Sequence, residues 1–307
     1  MNFQQLRYVR ETVRRSLNLS EAARALHTSQ PGVSKQIREL EDELGIEIFI
    51  RHGRRFIGLT APGRELIGVI DRILLEAENL RRVGENYAAG DSGRLTIATT
   101  HTQARYALPP VIAAFRERFP KVRLALQQGS PSAIARWVIS GEADIGIATE
   151  SLDHFDELLA LPGYRWTHGV VVPPDHRLAS EAQLTLSALA SHPIVTYSKE
   201  FTGRSHIDQT FEAGGLVPEI VLTAIDSDVI KTYVELGLGV GIIASVAFDP
   251  ARDRTLRYFD ASHLFPVNTT RVAIRKGAYL RDFTFAFIES FAPELDRKLI
   301  AEALADG

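Results

Sequence analysis

Residues 20–45 read SEAARALHTSQPGVSKQIRELEDELG, and this stretch decides the architecture of the first part of the chain. Ser20 offers the hydroxyl of a helix N-cap, and Glu21-Ala22-Ala23-Arg24-Ala25-Leu26 after it is a run of good helix formers. His27-Thr28-Ser29-Gln30 interrupt that run with four polar residues. Pro31 then suits a first helical position, where its missing N–H would have had no partner. Val33, Ile37, Leu40 and Leu44 recur at steps of four, three and four, one apolar stripe along a third helix that Gly45 ends. Upstream, Phe3, Leu6, Val9, Val13 and Leu17 mark a first amphipathic helix.

Two short helices, a tight break and a third helix with a clean stripe predict a helix-turn-helix. The face opposite the stripe carries Ser34, Lys35 and Arg38, with Thr28, Ser29, Gln30 and Pro31 at its start. Hydroxyl, amide and cationic groups of this kind reach phosphates and base edges in a major groove. Beyond Gly45, the apolar runs 46–50 and 56–59 flank His52-Gly53-Arg54-Arg55, a two-stranded wing with Arg54 and Arg55 placed to touch the backbone of a duplex.

The pattern Ala23-x-x-Leu26-x-x-Ser29-Gln30-Pro31-x-Val33-Ser34-x-Gln36-Ile37-x-x-Leu40-Glu41-x-x-Leu44-Gly45, followed by Phe49-x-Arg51 and Thr60-x-x-Gly63, resembles the LysR-type transcriptional regulators. Gly32 departs from it, since many members carry Ala there. The resemblance implies sequence-specific binding to double-stranded promoter DNA.

Thr60 reads as the N-cap of a long helix with Pro62 in its first turn. Leu66, Ile70, Ile73, Ala77, Leu80, Gly84 and Tyr87 form an alternating three-and-four seam along it. Such a helix over 61–88 is roughly 42 Å long and too one-sided to stand alone, which predicts pairing with a second copy. Ala88-Ala89-Gly90-Asp91-Ser92-Gly93 ends it.

Net charge is −3, an unexpected sign for a DNA binder until its distribution is read. Residues 1–65 hold eleven basic against eight acidic side chains, a surplus of three, which leaves −6 on the remainder. Hydrophobic residues make up 45% and charged residues 24%, ordinary for a soluble globular protein. No apolar run reaches the ~20 residues of a membrane span, and the first residues lack a signal-peptide pattern, so a cytoplasmic protein without membrane partners is expected. Cysteine is absent and the single methionine is Met1, which excludes disulfides, thiolate metal sites and a cysteine nucleophile. This near-absence of sulfur also fits a protein made when sulfur is scarce.

From Arg94 the texture becomes alternating strands and helices: strands at 95–99, 122–127 and 143–148, then a second set at 169–172, 194–197, 219–224 and 241–244. Strand 271–275 and helix 280–291 close the chain. The predicted fold is an N-terminal all-α winged helix-turn-helix plus an α/β two-lobed periplasmic-binding-protein-like sensor domain. Its boundaries are 1–60 for the DNA-binding domain, 61–92 for the linker and dimerisation helix, and 93–307 for the effector-binding domain. Lobe 1 takes 93–161 and 267–307, lobe 2 takes 162–266.

In such sheets ligands bind where strand ends meet helix starts. Thr99-Thr100-His101-Thr102-Gln103 stands at the first such junction, Thr149 at the third strand end and Thr202-Gly203 before a helix of the second lobe. Hydroxyls, an amide and backbone N–H groups without a lysine or arginine clamp suit a small anion or zwitterion held non-covalently, with no cofactor.

Thr99-Thr100-His101-Thr102-Gln103-Ala104-Arg105-Tyr106-Ala107-Leu108-Pro109 is similar to the signature of the CysB-type, sulfur branch of that family. Gln128-Gly129-Ser130-Pro131, Phe201-Thr202-Gly203-Arg204-Ser205 and 228–234 match as well. This resemblance implies that Thr100, Thr102, Gln103, Thr149 and Thr202 contact the effector, with Trp166 near the hinge. It further implies control of sulfur assimilation and cysteine biosynthesis, or of organosulfur (alkanesulfonate) utilisation. The implied effector is sulfate, thiosulfate, adenosine phosphosulfate or an acetylated serine. A homodimer or homotetramer acting with RNA polymerase is implied too.

Other signals carry less. Gly237-x-Gly239-x-Gly241 follows a helix and precedes a strand, the reverse of a dinucleotide loop. Asp226 and Asp228 read as acids at a helix N-terminus rather than metal ligands. No HExxH, G-x-S-x-G elbow or carboxylate pair supports an enzyme. A stand-alone solute-binding protein is the alternative, opposed by the basic first segment.

Overall fold

The computed structural model describes residues 1–53, 55–89, 92–181 and 183–306, and it divides into two compact units, 1–87 and 88–307. The first unit contains α1 (Phe3–Arg14), α2 (Leu19–Ala25), α3 (Gln30–Leu44), the antiparallel pair β1 (Phe49–His52) and β2 (Arg55–Leu59), and α4 (Ala61–Ala89). The cap of α2 is Asn18 and not Ser20. Its side chain accepts from Ser20 N–H and Glu21 N–H, both at 3.1 Å, so Ser20 lies inside the helix. Ser29 caps α3, which places Pro31 one residue later than expected, and Gly45 ends it in the left-handed conformation with φ +69°.

Val33, Ile37 and Leu40 are fully buried against Leu6, Val9, Ala23, Ile48 and Phe49. Each such aliphatic side chain contributes about 1.5–3 kcal/mol relative to exposure. Glu41 is buried among them and organises the approach to the wing. One carboxylate oxygen accepts Ile48 N–H at 2.8 Å and Phe49 N–H at 3.2 Å, and the other meets Arg51. Thr60 caps α4 by accepting Gly63 N–H at 2.9 Å. Only glycine fits at 63, because a Cβ would stand 2.1 Å from the Ile48 carbonyl oxygen. Ile70 and Leu74 of α4 pack into the helix-turn-helix core, whereas Leu80 and Tyr87 further along are 76% and 84% exposed.

The second unit holds two five-stranded sheets of matching topology. Lobe 1 contains β3 (Gly93–Thr99), α5 (Leu108–Arg118), β4 (Val122–Gln128), α6 (Pro131–Ser140), β5 (Ile145–Ala148) and β6 (Leu158–Trp166). Lobe 2 contains β7 (His168–Val172), α7 (Leu186–Ala190), β8 (Ile194–Tyr197), α8 (Thr202–Ala213), β9 (Ile220–Ala224), α9 (Ser227–Glu235), β10 (Val240–Ala244) and β11 (Arg257–Asp260). The chain returns to lobe 1 with β12 (Asn268–Arg275), α10 (Asp282–Phe291) and α11 (Arg297–Asp306). The sheet orders are β4-β3-β5-β12-β6 and β9-β8-β10-β7-β11. In each, the first three strands are parallel and the other two run antiparallel to their neighbours. Apolar clusters cover both faces of each sheet, which accounts for strands such as β5 and β10 that are apolar throughout.

β6 and β11 do not appear in the sequence pattern. β6 contains Pro162-Gly163, which reads as a break. It is tolerated because β6 is an edge strand whose register against β12 shifts between Thr269 and Arg271, opposite that dipeptide. The outgoing strand therefore stays in lobe 1 through Trp166, and the crossing falls at Thr167 instead of 162; the return begins at Asn268. Among the described residues, no helix is long and apolar enough to cross a membrane.

Candidate functional site

The first unit presents one polar ridge. Along α3, Lys35 and Arg38 are exposed on the face opposite Val33 and Ile37, and Lys35 has Glu39 within reach at 3.7 Å. Ser29 is exposed and spends an oxygen lone pair on Gly32 N–H at 3.2 Å, which leaves its proton free to donate. Thr28, Gln30 and Ser34 are half-buried and Pro31 is exposed at the same end. Arg55 is exposed at the start of β2, at the turn of the wing; Arg54 lies outside the described residues. Lys35, Arg38 and the first turn of α3 thus form one solvated cationic surface, the form a phosphate backbone meets.

The second candidate site is the crevice of the sensor unit. β3 and β5 are parallel neighbours with Thr99 opposite Ile147, so Thr100 and Thr149 leave the sheet at the same edge. Thr99 itself is structural, donating to the Ile147 carbonyl at 3.0 Å. The chain then turns directly into a helix that opens with a π-helical turn, Gln103–Ala107. A π turn displaces the following side chains and often marks a functional position.

Thr100 is buried and Thr102 half-buried. Gln103 is 3% exposed and held from two strands: its Oε1 accepts the Tyr164 phenol at 2.7 Å, and its Nε2 donates to Thr270 Oγ1 at 3.3 Å. Tyr164 and Thr270 lie on β6 and β12, the strands that lead to the crossing between lobes. Thr102 lies close enough to the Tyr197 phenol of lobe 2 to act on it electrostatically.

Tyr197 is buried, shares a 2.7 Å contact with Ser227 Oγ and accepts Ala244 N–H at 2.8 Å. Burial pushes its pKa up to about 12 against these hydrogen bonds, so it remains a neutral donor and acceptor. Trp166 is buried at the end of β6, packed edge-on against His168 at 5.3 Å, and among the described residues its indole N–H has no acceptor. A Cβ on Gly203 would come within 3.1 Å of His168 Nε2 and 3.3 Å of the Trp166 ring. The first turn of α8 therefore lies close against both rings, and a side chain at 203 would require them to give by a few tenths of an ångström. Thr202 opens that helix, and its side chain lies outside the described ones.

His168 is fully buried; desolvation first, and then the neighbouring His206, lower its pKa to about 3. Asn268 stands between the two rings, 2.9 Å from His206 Nδ1 and 3.5 Å from His168 Nδ1. His168 thus stands beside Trp166 and Asn268 as a neutral ring. Arg204 is buried behind it, donating to the Tyr197 carbonyl at 2.9 Å and to Asp208 at 2.7 Å, a cation next to the N-terminus of α8 that sequence reading left out. Tyr197 was legible in principle, since it ends a central strand of lobe 2 as Thr99 ends one of lobe 1.

His101, Asp226 and Asp228 bring potential metal-ligating atoms close together. Arg105 and Lys231 approach Asp228 at 3.5 and 3.6 Å, and Asp226 caps α9 by accepting Val229 N–H at 2.8 Å. The charge of these acids is met by cations and a helix terminus.

Residues 3–64 match the family model of the bacterial regulatory helix-turn-helix protein, lysR family, and residues 88–296 match the LysR substrate binding domain. The chain belongs to the LysR family of transcriptional regulators. It is 58% identical over 306 residues to the HTH-type transcriptional regulator SsuR of Burkholderia cenocepacia, covering 100% of this chain and 99% of that one. It is 57% identical over 304 residues to the HTH-type transcriptional regulator CysB of the same organism, covering 99% and 97%. The crystal structure of the cofactor-binding domain of the Cbl transcriptional regulator superposes with a TM-score of 0.68 at 47% identity, covering 70% of this chain and 95% of that one. The CysB-type branch expected from the sequence is where these relatives fall, and the match over both halves removes the stand-alone solute-binding alternative.

Proposed function

We propose that this LysR-family protein regulates genes of sulfur acquisition by binding promoter DNA as a homo-oligomer, in response to a small anion or zwitterion held between its sensor lobes. The observation that carries this reading is the pairing, in one chain, of an exposed cationic ridge on α3 with a crevice of buried threonine, glutamine and tyrosine groups. Thr100, Thr102, Gln103, Thr149 and Thr202 are the proposed contacts, with Trp166 closing the site through its free indole N–H. Hydroxyls and N–H groups bind an oxyanion without a formal counter-charge when helix N-termini supply partial positive charge. The exposed apolar residues Leu80 and Tyr87 of α4 support pairing of two chains, which would set two α3 helices on the half-sites of a near-palindromic operator. A cytoplasmic location and a productive contact with RNA polymerase belong to the same proposal.

Calorimetric titration with sulfate, thiosulfate, adenosine phosphosulfate and O-acetylserine tests the effector class. Saturable binding of one of them that is lost in Thr102→Ala supports the reading; heat of dilution alone with all four removes it. A mobility-shift assay on sulfur-gene promoters tests the DNA half.

The absence of cysteine and the single methionine favour a narrower version, in which the protein serves organosulfur utilisation during sulfate starvation. Equal messenger levels in sulfate-replete and sulfate-starved cells would remove this version and leave the broader one standing.

A further inference from the structure

The π turn Gln103–Ala107, which follows Thr102, sends one side chain out of lobe 1 altogether. The Tyr106 ring packs against the second apolar cluster of lobe 2, beside residues such as Tyr197 and Ile230. Its phenol donates to Asp228 Oδ1 at 2.5 Å and accepts from Lys231 Nζ at 2.9 Å. Lys231 is 6% exposed, and its remaining protons go to the Ala247 carbonyl at 3.0 Å and to Asp253 at 2.8 Å. Asp228 also meets the guanidinium of Arg105, the lobe 1 neighbour of Tyr106 in sequence, at 3.5 Å. Burial, then the hydrogen bond to Asp228 and the charges of Asp228 and Asp253, raise the Tyr106 pKa far above the ordinary tyrosine value, which keeps its donor proton in place.

We infer that Tyr106 is a latch: it ties the helix carrying Thr102 and Gln103 to the Asp228–Lys231–Asp253 network of lobe 2 and thereby fixes the arrangement of the two sensor lobes. Two features separate a latch from an ordinary surface contact. The bridge ends on a buried lysine whose three protons are all committed, so Tyr106 has a single seat. Tyr106 also stands one turn beyond Thr102 and Gln103 on the same helical segment, so a shift of that segment and release of the seat are one motion. The inference goes beyond the proposed sulfur control and depends only on the two-lobed sensor, so it stands or falls without any effector.

The chain has no cysteine, which permits spin labels at two chosen points and nowhere else. Arg136→Cys on α6 and Glu212→Cys on α8 label exposed positions of lobes 1 and 2. Pulsed dipolar spectroscopy is run on the full chain, without sulfate or other effector, diluted into excess unlabelled protein so that only distances within one chain are read. The parent is expected to give one narrow distance. Tyr106→Phe, which keeps the ring and loses the hydroxyl, and Asp228→Asn are each expected to add a longer component, with the double variant no broader than either single one. Parental distance distributions in both single variants, with folding confirmed by circular dichroism, would overturn the latch.

Discussion

Gln103 accepts the Tyr164 phenol at 2.7 Å across 61 residues of sequence, and this bond sets which way the buried amide points. With its oxygen taken by Tyr164 and its nitrogen turned to Thr270, Gln103 is anchored on both strands leading to the crossing. Tyr164→Phe removes one neutral hydrogen bond, and a stability loss of about 1 kcal/mol is expected in denaturant unfolding. Under the proposed function, the same variant should weaken effector binding in calorimetry more than this loss explains, because the amide is freed to rotate.

Lys35 and Arg38 are exposed and touch little of their own unit. Arg38→Ala and Lys35→Ala should therefore leave stability within about 0.5 kcal/mol of the parent. Each is expected to weaken DNA binding about tenfold or more and, where it loses a phosphate contact, to reduce the dependence of log K on log salt by ~0.9. Mobility shifts at three salt concentrations check this, and unchanged affinity in both variants would remove α3 as the DNA-facing element.

Glu41 is the internal anchor of the wing. Glu41→Ala strands the N–H groups of Ile48 and Phe49 and the Arg51 guanidinium. Each buried N–H left without an acceptor costs about 1–3 kcal/mol, so the N-terminal unit should unfold at markedly lower denaturant while the sensor unit keeps its own transition. Two separated unfolding transitions would show this directly.

His168 makes the stability of the sensor unit pH-dependent. Its folded pKa, about 3, lies below the ordinary histidine value near 6.5, so the unfolded chain binds the extra proton. The stabilisation is fully present above pH ~6.5 and is lost as pH falls from there toward 3, at a slope of about 1.4 kcal/mol per pH unit from this group. His168→Gln is expected to flatten that part of the stability profile; an identical slope in parent and variant would contradict the assignment.

Leu80 of α4 is 76% exposed within the chain. Leu80→Asp should shift the sedimentation profile toward smaller species without lowering the melting temperature of either unit, since among the described residues no apolar core includes it. An unchanged profile would place the chain–chain contact elsewhere.

The helix-turn-helix was legible because its signals are local. The stripe of Val33, Ile37 and Leu40, the cap at Ser29 and the stop at Gly45 lie within a few residues of what they act on. Even there Asn18 outcompeted Ser20 as the cap, since its side chain reaches two amides at once. The other strands of both sheets were visible through their apolar runs, but β6 and β11 were not: Pro162-Gly163 hid β6, an edge strand that only its bulged pairing with β12 allows, and β11 (RYFD) is a four-residue edge strand with no apolar run.

The threonines of the crevice could be placed from strand ends alone, because a parallel sheet exposes those ends to whatever binds there. Which groups hold and gate them depended on distance in space. Tyr164, Tyr197, Asp228 and Lys231 are ordinary residues in their own segments and acquire roles only where the chain crosses twice between lobes. Periodicity encodes which face of an element is buried; it holds no record of which distant element that face will meet, and here that meeting joins Tyr106 to a partner 122 residues away.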